Sequence, residues 1–277
     1  MTSLRGVFHA RTHEALGGRA EVLVGKSAAA ASAWDFASDV EVRFIDADGI
    51  ERLGSLGRHW GDPFELVSPV RKFVSFKGQK NFTGEYWAAT SRSHVGYESW
   101  VERDAAMALD FDPAVIALAS QPFRLAWTDR DRDRERGHTP DYFARLADGT
   151  GVVVDVRPEG LVDEAAAEVF KFTAQVCEAV GWQFRRVGDL SQPYRVNLRW
   201  LARYRHPRCH QAPVADRLRN VFAEPLPLVA GAEAVGDRLA VLPVLFHLLW
   251  LHELAVDLTS APLGTDTMVH AAPRERR

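Results

Sequence analysis

Apolar and polar positions alternate along two stretches of the chain, and each stretch predicts a β-hairpin. Apolar residues at 40–44 alternate with charged ones ahead of an Asp-Gly pair at 48–49, a dipeptide typical of hairpin turns. A second Asp-Gly pair at 148–149 is followed by the almost continuously apolar run 152–156. Such a run is expected of a strand that is buried on both faces.

Apolar residues three or four positions apart predict helices at 98–110 and 163–181. The second helix lies between the strand at 152–156 and a further predicted strand at 182–187. Strand, helix and strand in this order imply a crossover onto a partly parallel sheet, and therefore an α/β fold. The run of alternating charge at 128–137 predicts a solvated loop.

The composition indicates a globular protein with more than one domain. The chain has 277 residues, enough for about two domains, and its 47% hydrophobic residues can fill a sizeable core. Two cysteines are too few for a disulfide scaffold or a structural zinc site, and they fit a reducing cytosol. The strongest apolar run, 239–251, is too short to span a bilayer, so we expect a cytoplasmic protein without a membrane partner.

Charge is unevenly distributed along the chain. The net charge of −3 excludes a uniformly basic nucleic-acid coat but not a local basic patch. Between residues 185 and 219, nine arginines stand against two aspartates, and nine minus two gives a local charge of +7. Helices are predicted at 214–222 and 239–258, and we place a domain boundary near 191–193.

Two aspartates on the second hairpin are the first candidates for chemistry. Asp141 and Asp155 lie at nearly equal distances from the turn, so they are near neighbours across the strands once one residue of register error is allowed. Arg157 is expected on the same face as Asp155 because side chains alternate along a strand. Two adjacent carboxylates repel each other, and a divalent metal is the simplest source of compensating charge.

Hard oxygen ligands of this kind suit Mg²⁺, with Mn²⁺ as the alternative. A glutamate on the preceding helix, Glu102 or Glu98, completes the predicted set of ligands. The alternative interpretation needs no metal. In it, Asp141 only belongs to a turn, and Asp155 pairs with a nearby arginine, Arg157 or Arg145.

The order Pro140-Asp141 followed by Asp155-Val156-Arg157 is similar to the PD-(D/E)xK motif of metal-dependent nucleases. More specifically, residues 73–190 resemble the TnsA-like endonuclease subunits of heteromeric transposases. The stretches that carry this resemblance are 94–104, 109–113, 120–125, 138–142 and 155–158.

The resemblance, together with the hairpin pattern at 40–49, predicts a three-part α/β organisation. A restriction-endonuclease-like core, a mixed sheet flanked by helices, is expected at 76–190. A β-rich extension is expected before it at 1–75, and an arginine-rich, helical, winged-helix-like region after it at 191–277.

The resemblance also implies an activity, a metal-dependent hydrolytic cleavage of DNA strands at transposon ends. Its catalytic residues fall on Glu102, Asp141, Asp155 and Arg157, the first three as metal ligands with Glu98 as the alternative glutamate. Arg157 replaces the lysine of the family, and its planar guanidinium cannot copy the point charge of an ammonium group. The alternatives are a decayed nuclease fold that binds DNA or a partner, and a stand-alone restriction or repair nuclease.

The implied partners are double-stranded DNA, a DDE-type transposase subunit and an AAA+ ATPase regulator, with which the protein would join the nucleoid. Arg195, Arg199 and Arg203 are four residues apart and predict a helical stripe that can lie along DNA phosphates. Lys171, on the crossover helix, is a further candidate for a phosphate contact. The alternative for the stripe is a solvated helix face.

Overall fold

The computed structural model describes residues 36–71, 82–129 and 132–272. Much of the predicted extension, residues 1–35 and 72–75, lies outside the described residues. The chain forms two compact units, an N-terminal unit that ends at Asp189 and a C-terminal unit that begins at Leu190. Among the described residues, no helix has the length and apolar character needed to cross a membrane.

The N-terminal unit combines helices with antiparallel and parallel strands. Its elements in chain order are β1 (Glu41–Ile45), β2 (Glu51–Ser55), α1 (Leu56–His59), β3 (Gly84–Ala88), β4 (Ser93–Tyr97), α2 (Trp100–Phe111), β5 (Val115–Ser120), β6 (Arg124–Asp129), β7 (Arg134–His138), β8 (Tyr142–Leu146), β9 (Gly151–Val156), α3 (Glu164–Ala179) and β10 (Gln183–Val187).

A four-stranded sheet with the order β10-β9-β8-β5 forms the centre of this unit. Strand β8 is antiparallel to both β5 and β9, whereas β10 runs parallel to β9. The parallel pair confirms the predicted crossover, because α3 carries the chain from β9 back to the start of β10. A second sheet, β2-β1-β6-β7, is entirely antiparallel, and it places residues 41–55 of the predicted extension beside strands of the core.

The central sheet is covered on both faces, which explains the continuous apolar run of β9. Val152 and Val154 pack in one hydrophobic cluster with Leu109 of α2. Val153 packs in a second cluster that also contains Val176 of α3 and residues of β1 and β6. Burial on both faces requires apolar residues at successive positions, as the sequence predicted.

The predicted loop at 128–137 is wrong, because strands β6 and β7 extend into it and pair with each other. Strand β7 lies at the edge of its sheet, where charged side chains are tolerated and discourage pairing with other chains. Arg132, in the turn before β7, and Arg136, on β7, are both paired with α3. Glu168 accepts hydrogen bonds from Arg132 at 2.7 Å and from Arg136 at 2.8 Å. These arginines lower the pKa of Glu168 to about 2.

The C-terminal unit joins helices to a small antiparallel sheet with the order β11-β13-β12. Its elements are α4 (Gln192–Leu201), α5 (Ala212–Val221), β11 (Leu226–Pro227), α6 (Leu228–Val235), α7 (Arg238–Trp250), β12 (Leu254–Val256) and β13 (Met268–Ala271).

The predicted helix at 239–258 is wrong in its second half, where β12 lies instead. Helix α7 ends because His252 adopts a left-handed backbone with φ of 55°. The N–H of Glu253 then donates to the carbonyl of Leu248 at 2.9 Å, a pattern that usually has glycine at the left-handed position. Since histidine stands there, the composition of this segment gives no stop signal.

Candidate active site

The β8–β9 hairpin has a loop one residue longer than predicted. The N–H of Leu146 donates to the carbonyl of Thr150 at 2.9 Å, which leaves the three residues 147–149 as the loop. Gly149 has a φ of 88°, as expected of the left-handed residue in a three-residue hairpin loop.

The extra loop residue brings the two aspartates into register. Tyr142 lies opposite Val154, and the next step along both strands sets Asp141 opposite Asp155. The N–H of Val156 donates to Oδ2 of Asp141 at 2.7 Å, which ties the Asp141 carboxyl group to the end of β9. The hairpin therefore holds both carboxyl groups at one end of the central sheet.

Asp141 carries the clearest electrostatic signal of the site. Its partly buried carboxyl group loses hydration, and this raises its pKa well above the usual value of 3.8. The neighbouring charges of Asp155 and Glu102 raise the pKa further. Three acidic groups are thus close enough to oppose one another's ionisation, and a cation among them would relieve this repulsion.

Asp155 has a partner that sequence reasoning missed. Its side chain is 3% exposed, and Nε2 of His138 lies 2.8 Å and 2.9 Å from its two carboxylate oxygens. His138 is the last residue of β7, in the other sheet. Its position three residues before Asp141 was visible in the sequence, but only the pairing of β7 with β6 brings it to Asp155.

Glu102 reaches the site from the first turn of α2, where it also caps the helix. Ser99 Oγ accepts a hydrogen bond from the N–H of Glu102 at 3.2 Å and donates to its Oε1 at 2.9 Å. The N–H of Glu98, the residue before the N-cap Ser99, donates to Oε2 of Glu102 at 2.6 Å, so the Glu102 carboxylate also stabilises the start of the helix. Burial raises the pKa of Glu102, whereas the side chain of Glu98 accepts from Arg71 at 2.8 Å.

Arg157 is not brought to the aspartates. Strand β9 ends at Val156, so the alternation that predicted a shared face with Asp155 no longer applies. The exposed side chain of Arg157 instead donates from Nε to the carbonyl of Leu161 at 3.1 Å. Arg145, the other arginine in the metal-free interpretation, donates to Glu65 at 2.9 Å.

The four candidate DNA contacts are divided between the two units. Lys171 is exposed on α3, in the N-terminal unit. Arg195 and Arg199 lie one turn apart on α4, but the helix ends at Leu201, before Arg203. Arg203 belongs to the 3₁₀ turn that follows, where its guanidinium lies 5.1 Å from the ring centre of Trp200. The predicted stripe is therefore interrupted.

A groove of about 480 Å³ lies beside these arginines, within the C-terminal unit. Arg199, Trp200 and Arg203 form one wall, and Phe246 of α7 lies among the residues that line the remainder. Its lining is mainly apolar, whereas surfaces that contact a DNA backbone are mainly polar and positively charged.

Within the described ranges, no three His, Cys, Asp or Glu side chains are grouped as a metal site would need. No protein-family model and no curated protein matches the chain.

Proposed function

We propose that the protein is a metal-dependent DNA endonuclease whose cation, Mg²⁺ or Mn²⁺, is held by Asp141 and Asp155. The observation that carries this proposal is the placement of the two carboxyl groups opposite each other, with the pKa of Asp141 raised by its acidic neighbours. Glu102 is the third acidic member of the site, and its charge acts on Asp141.

The architecture supports this assignment. Helix α2 is followed by the antiparallel strands β5, β8 and β9, and α3 leads to the parallel strand β10. The aspartates lie at the end of the two central strands, where the resemblance to restriction-endonuclease-like cores expects them. We therefore propose that core for the N-terminal unit.

The residues present fit a hard divalent cation. Mg²⁺ is commonly held by one or two carboxylates, with phosphate and water oxygens completing its coordination. Asp141 and Asp155 supply such a pair, so a DNA phosphate can complete the site. When bound, the cation would neutralise charge at the scissile phosphate and make a water molecule more acidic.

The chain's own residues have separable roles in this proposal. His138 holds both oxygens of the Asp155 carboxylate and so fixes its orientation. Arg157 donates one N–H to a backbone carbonyl, which leaves guanidinium N–H groups that can face a phosphate at the exposed rim.

The proposed partners are the double-stranded DNA of transposon ends, a DDE-type transposase subunit and an AAA+ ATPase regulator. The order of helices and strands from α5 to β13, with the sheet order β11-β13-β12, supports a winged-helix-like C-terminal unit. The third helix of this segment, α7, is mostly buried and apolar apart from Arg238 and His247, so it offers few polar side chains that could read base edges. The groove beside Arg199 and Arg203 favours docking of a partner protein there.

A decayed nuclease fold is the second candidate, and it is favoured by the arginine at the position of the family's lysine, whose Nε donates to the carbonyl of Leu161. Such a module would bind DNA or partners without any dependence on a metal. A stand-alone nuclease, by contrast, would cleave DNA without partner proteins.

The decisive experiment compares Asp141→Ala with Asp148→Ala, which removes an exposed carboxylate in the hairpin loop. Titration calorimetry with Mg²⁺ and Mn²⁺, with and without duplex DNA, should show binding to wild type and Asp148→Ala that Asp141→Ala loses. Strand cleavage with the partner subunits should follow the same order. Full Mg²⁺-dependent cleavage by Asp141→Ala would exclude this site.

A further inference from the structure

Gln121 is held in an unfavourable state by the N-terminal unit. Its φ of 44° lies in the left-handed region, which side chains other than glycine rarely adopt. The residue is 2% exposed, and its Oε1 has no hydrogen-bond partner among the described residues. A buried, unpaired oxygen on a strained backbone is a combination that calls for a functional reason.

The register of the central sheet places Gln121 at the same end of the sheet as the two aspartates. Ser120 lies opposite Tyr142, and one step further the N–H of Gln121 donates to the carbonyl of Asp141 at 2.8 Å. Asp141 lies in turn opposite Asp155. Gln121 follows directly after the end of β5, and this backbone hydrogen bond places it beside Asp141 at the same end of the central sheet as Asp155.

Packing alone does not account for a glutamine at this position. The backbone conformation would favour glycine, which adopts positive φ without strain. Burial would favour an apolar residue, as at Phe123 two positions further along the chain, which is fully buried in a hydrophobic cluster with Phe143. Glutamine meets neither demand, whereas its carboxamide oxygen is a hard ligand of the kind that divalent cations accept.

We propose that Oε1 of Gln121 is a further ligand of the cation held by Asp141 and Asp155, an inference that rests on the proposed function. The carboxamide oxygen is neutral, so it would bind the cation without adding negative charge to a site where Asp155 and Glu102 already raise the pKa of Asp141. It also accounts for the unpaired oxygen, which finds its partner when the cation is bound.

Two substitutions of Gln121 in the full chain test this assignment. Gln121→Gly keeps the left-handed backbone accessible and removes the carboxamide, so Mn²⁺ and Mg²⁺ binding by calorimetry should weaken about tenfold or more, with an unchanged or higher melting temperature. Gln121→Glu adds a buried carboxylate. It should melt at a lower temperature in chelator and gain more from added cation than wild type does.

Arg92→Gly is the matched control, because Arg92 also has positive φ, 51°, but lies in an exposed turn between β3 and β4. It should leave cation binding unchanged. If Gln121→Gly binds cations as wild type does while Asp141→Ala does not, this inference fails and the proposed nuclease site stands. If wild type binds no cation with or without a non-hydrolysable duplex, both fail.

Discussion

At the scale of single residues, the candidate site is a set of acidic groups that are arranged at the expense of stability. Asp141 lies opposite Asp155 and near Glu102, and its pKa is raised by burial and by both neighbours. A structure selected for stability alone would separate or pair such groups, because like charges that face each other are destabilising. The proposed cation would offset this repulsion.

The raised pKa of Asp141 predicts how stability depends on pH. Above its usual value of 3.8, the folded state retains a proton that the unfolded state releases, so stability falls as the pH rises through this window. Asp141→Asn removes this loss and can still accept from Val156, so in chelator it should melt above wild type at pH 7 to 8. The gap should close as the pH is lowered toward 4.

Thermal unfolding at a series of pH values measures this difference. Asp148→Asn is the control, because Asp148 is exposed and its pKa is lowered by the hydrogen bond from Thr150. Its melting temperature should show no gain at neutral pH. A melting temperature of Asp141→Asn below wild type at every pH would contradict the expected repulsion.

His138 gives a second prediction at this scale. It is the partner of the buried Asp155 carboxylate, and its removal leaves that group without its hydrogen bond. His138→Ala should therefore lower the free energy of unfolding in chelator by about 1–3 kcal/mol, measured by urea denaturation. His94→Ala, which truncates an exposed histidine on β4, should change it little. Equal effects of the two substitutions would show that Asp155 does not depend on His138.

At the scale of elements, the periodicity of apolar residues correctly predicted those strands and helices whose formation depends on local sequence. The apolar run 152–156 predicted β9, and the three- and four-residue spacing of apolar residues at 163–181 predicted α3. Both predictions were possible because burial on both faces of a sheet and helical amphipathicity each produce a characteristic pattern of apolar residues. The alternating charges at 128–137 led to the wrong prediction of a solvated loop, because Arg132 and Arg136 form ion pairs with Glu168 on a helix that is distant in sequence. Pairing between distant segments leaves no periodic trace.

The candidate site shows the same limit. Spacing across the hairpin brought Asp141 and Asp155 together, and the three-residue loop made the register closer than predicted. The partnership of His138 with Asp155 depends on a different sheet, and the turn of Arg157 toward Leu161 depends on where β9 ends. Neither contact can be predicted from the spacing of residues in the sequence, because both depend on the tertiary arrangement of the strands.

The hairpin loop itself provides a prediction for this scale. Gly149 has a φ of 88° and open space around an added Cβ atom, so Gly149→Ala isolates the backbone strain. We expect a loss of about 1–2 kcal/mol in the free energy of unfolding by urea denaturation. Gly160→Ala also meets open space but has no positive φ, so it should be neutral or slightly stabilising. Equal stability of the two variants would contradict the assigned loop conformation.

At the scale of the whole molecule, two compact units suggest a division of labour. The N-terminal unit contains the acidic residues of the candidate site, and the C-terminal unit contains the groove beside Arg199 and Arg203. Each unit has fully buried apolar side chains of its own, such as Phe143 in the first and Phe222 in the second. Damage to the core of one unit should therefore leave the chemistry of the other intact.

Gly231→Ala tests this independence. A Cβ atom at Gly231 would lie 2.1 Å from Cζ of Phe222, far inside contact distance, so the core of the C-terminal unit must shift. We expect a loss of about 1–3 kcal/mol, seen as faster hydrogen exchange across residues 190–272. Gly264→Ala, in the same unit but with open space around it, is the control.

Cation binding that depends on Asp141 should persist in both variants, because none of the proposed cation ligands belongs to the C-terminal unit. Loss of that binding in Gly231→Ala alone would show that the proposed cation site depends on the C-terminal unit for its structure.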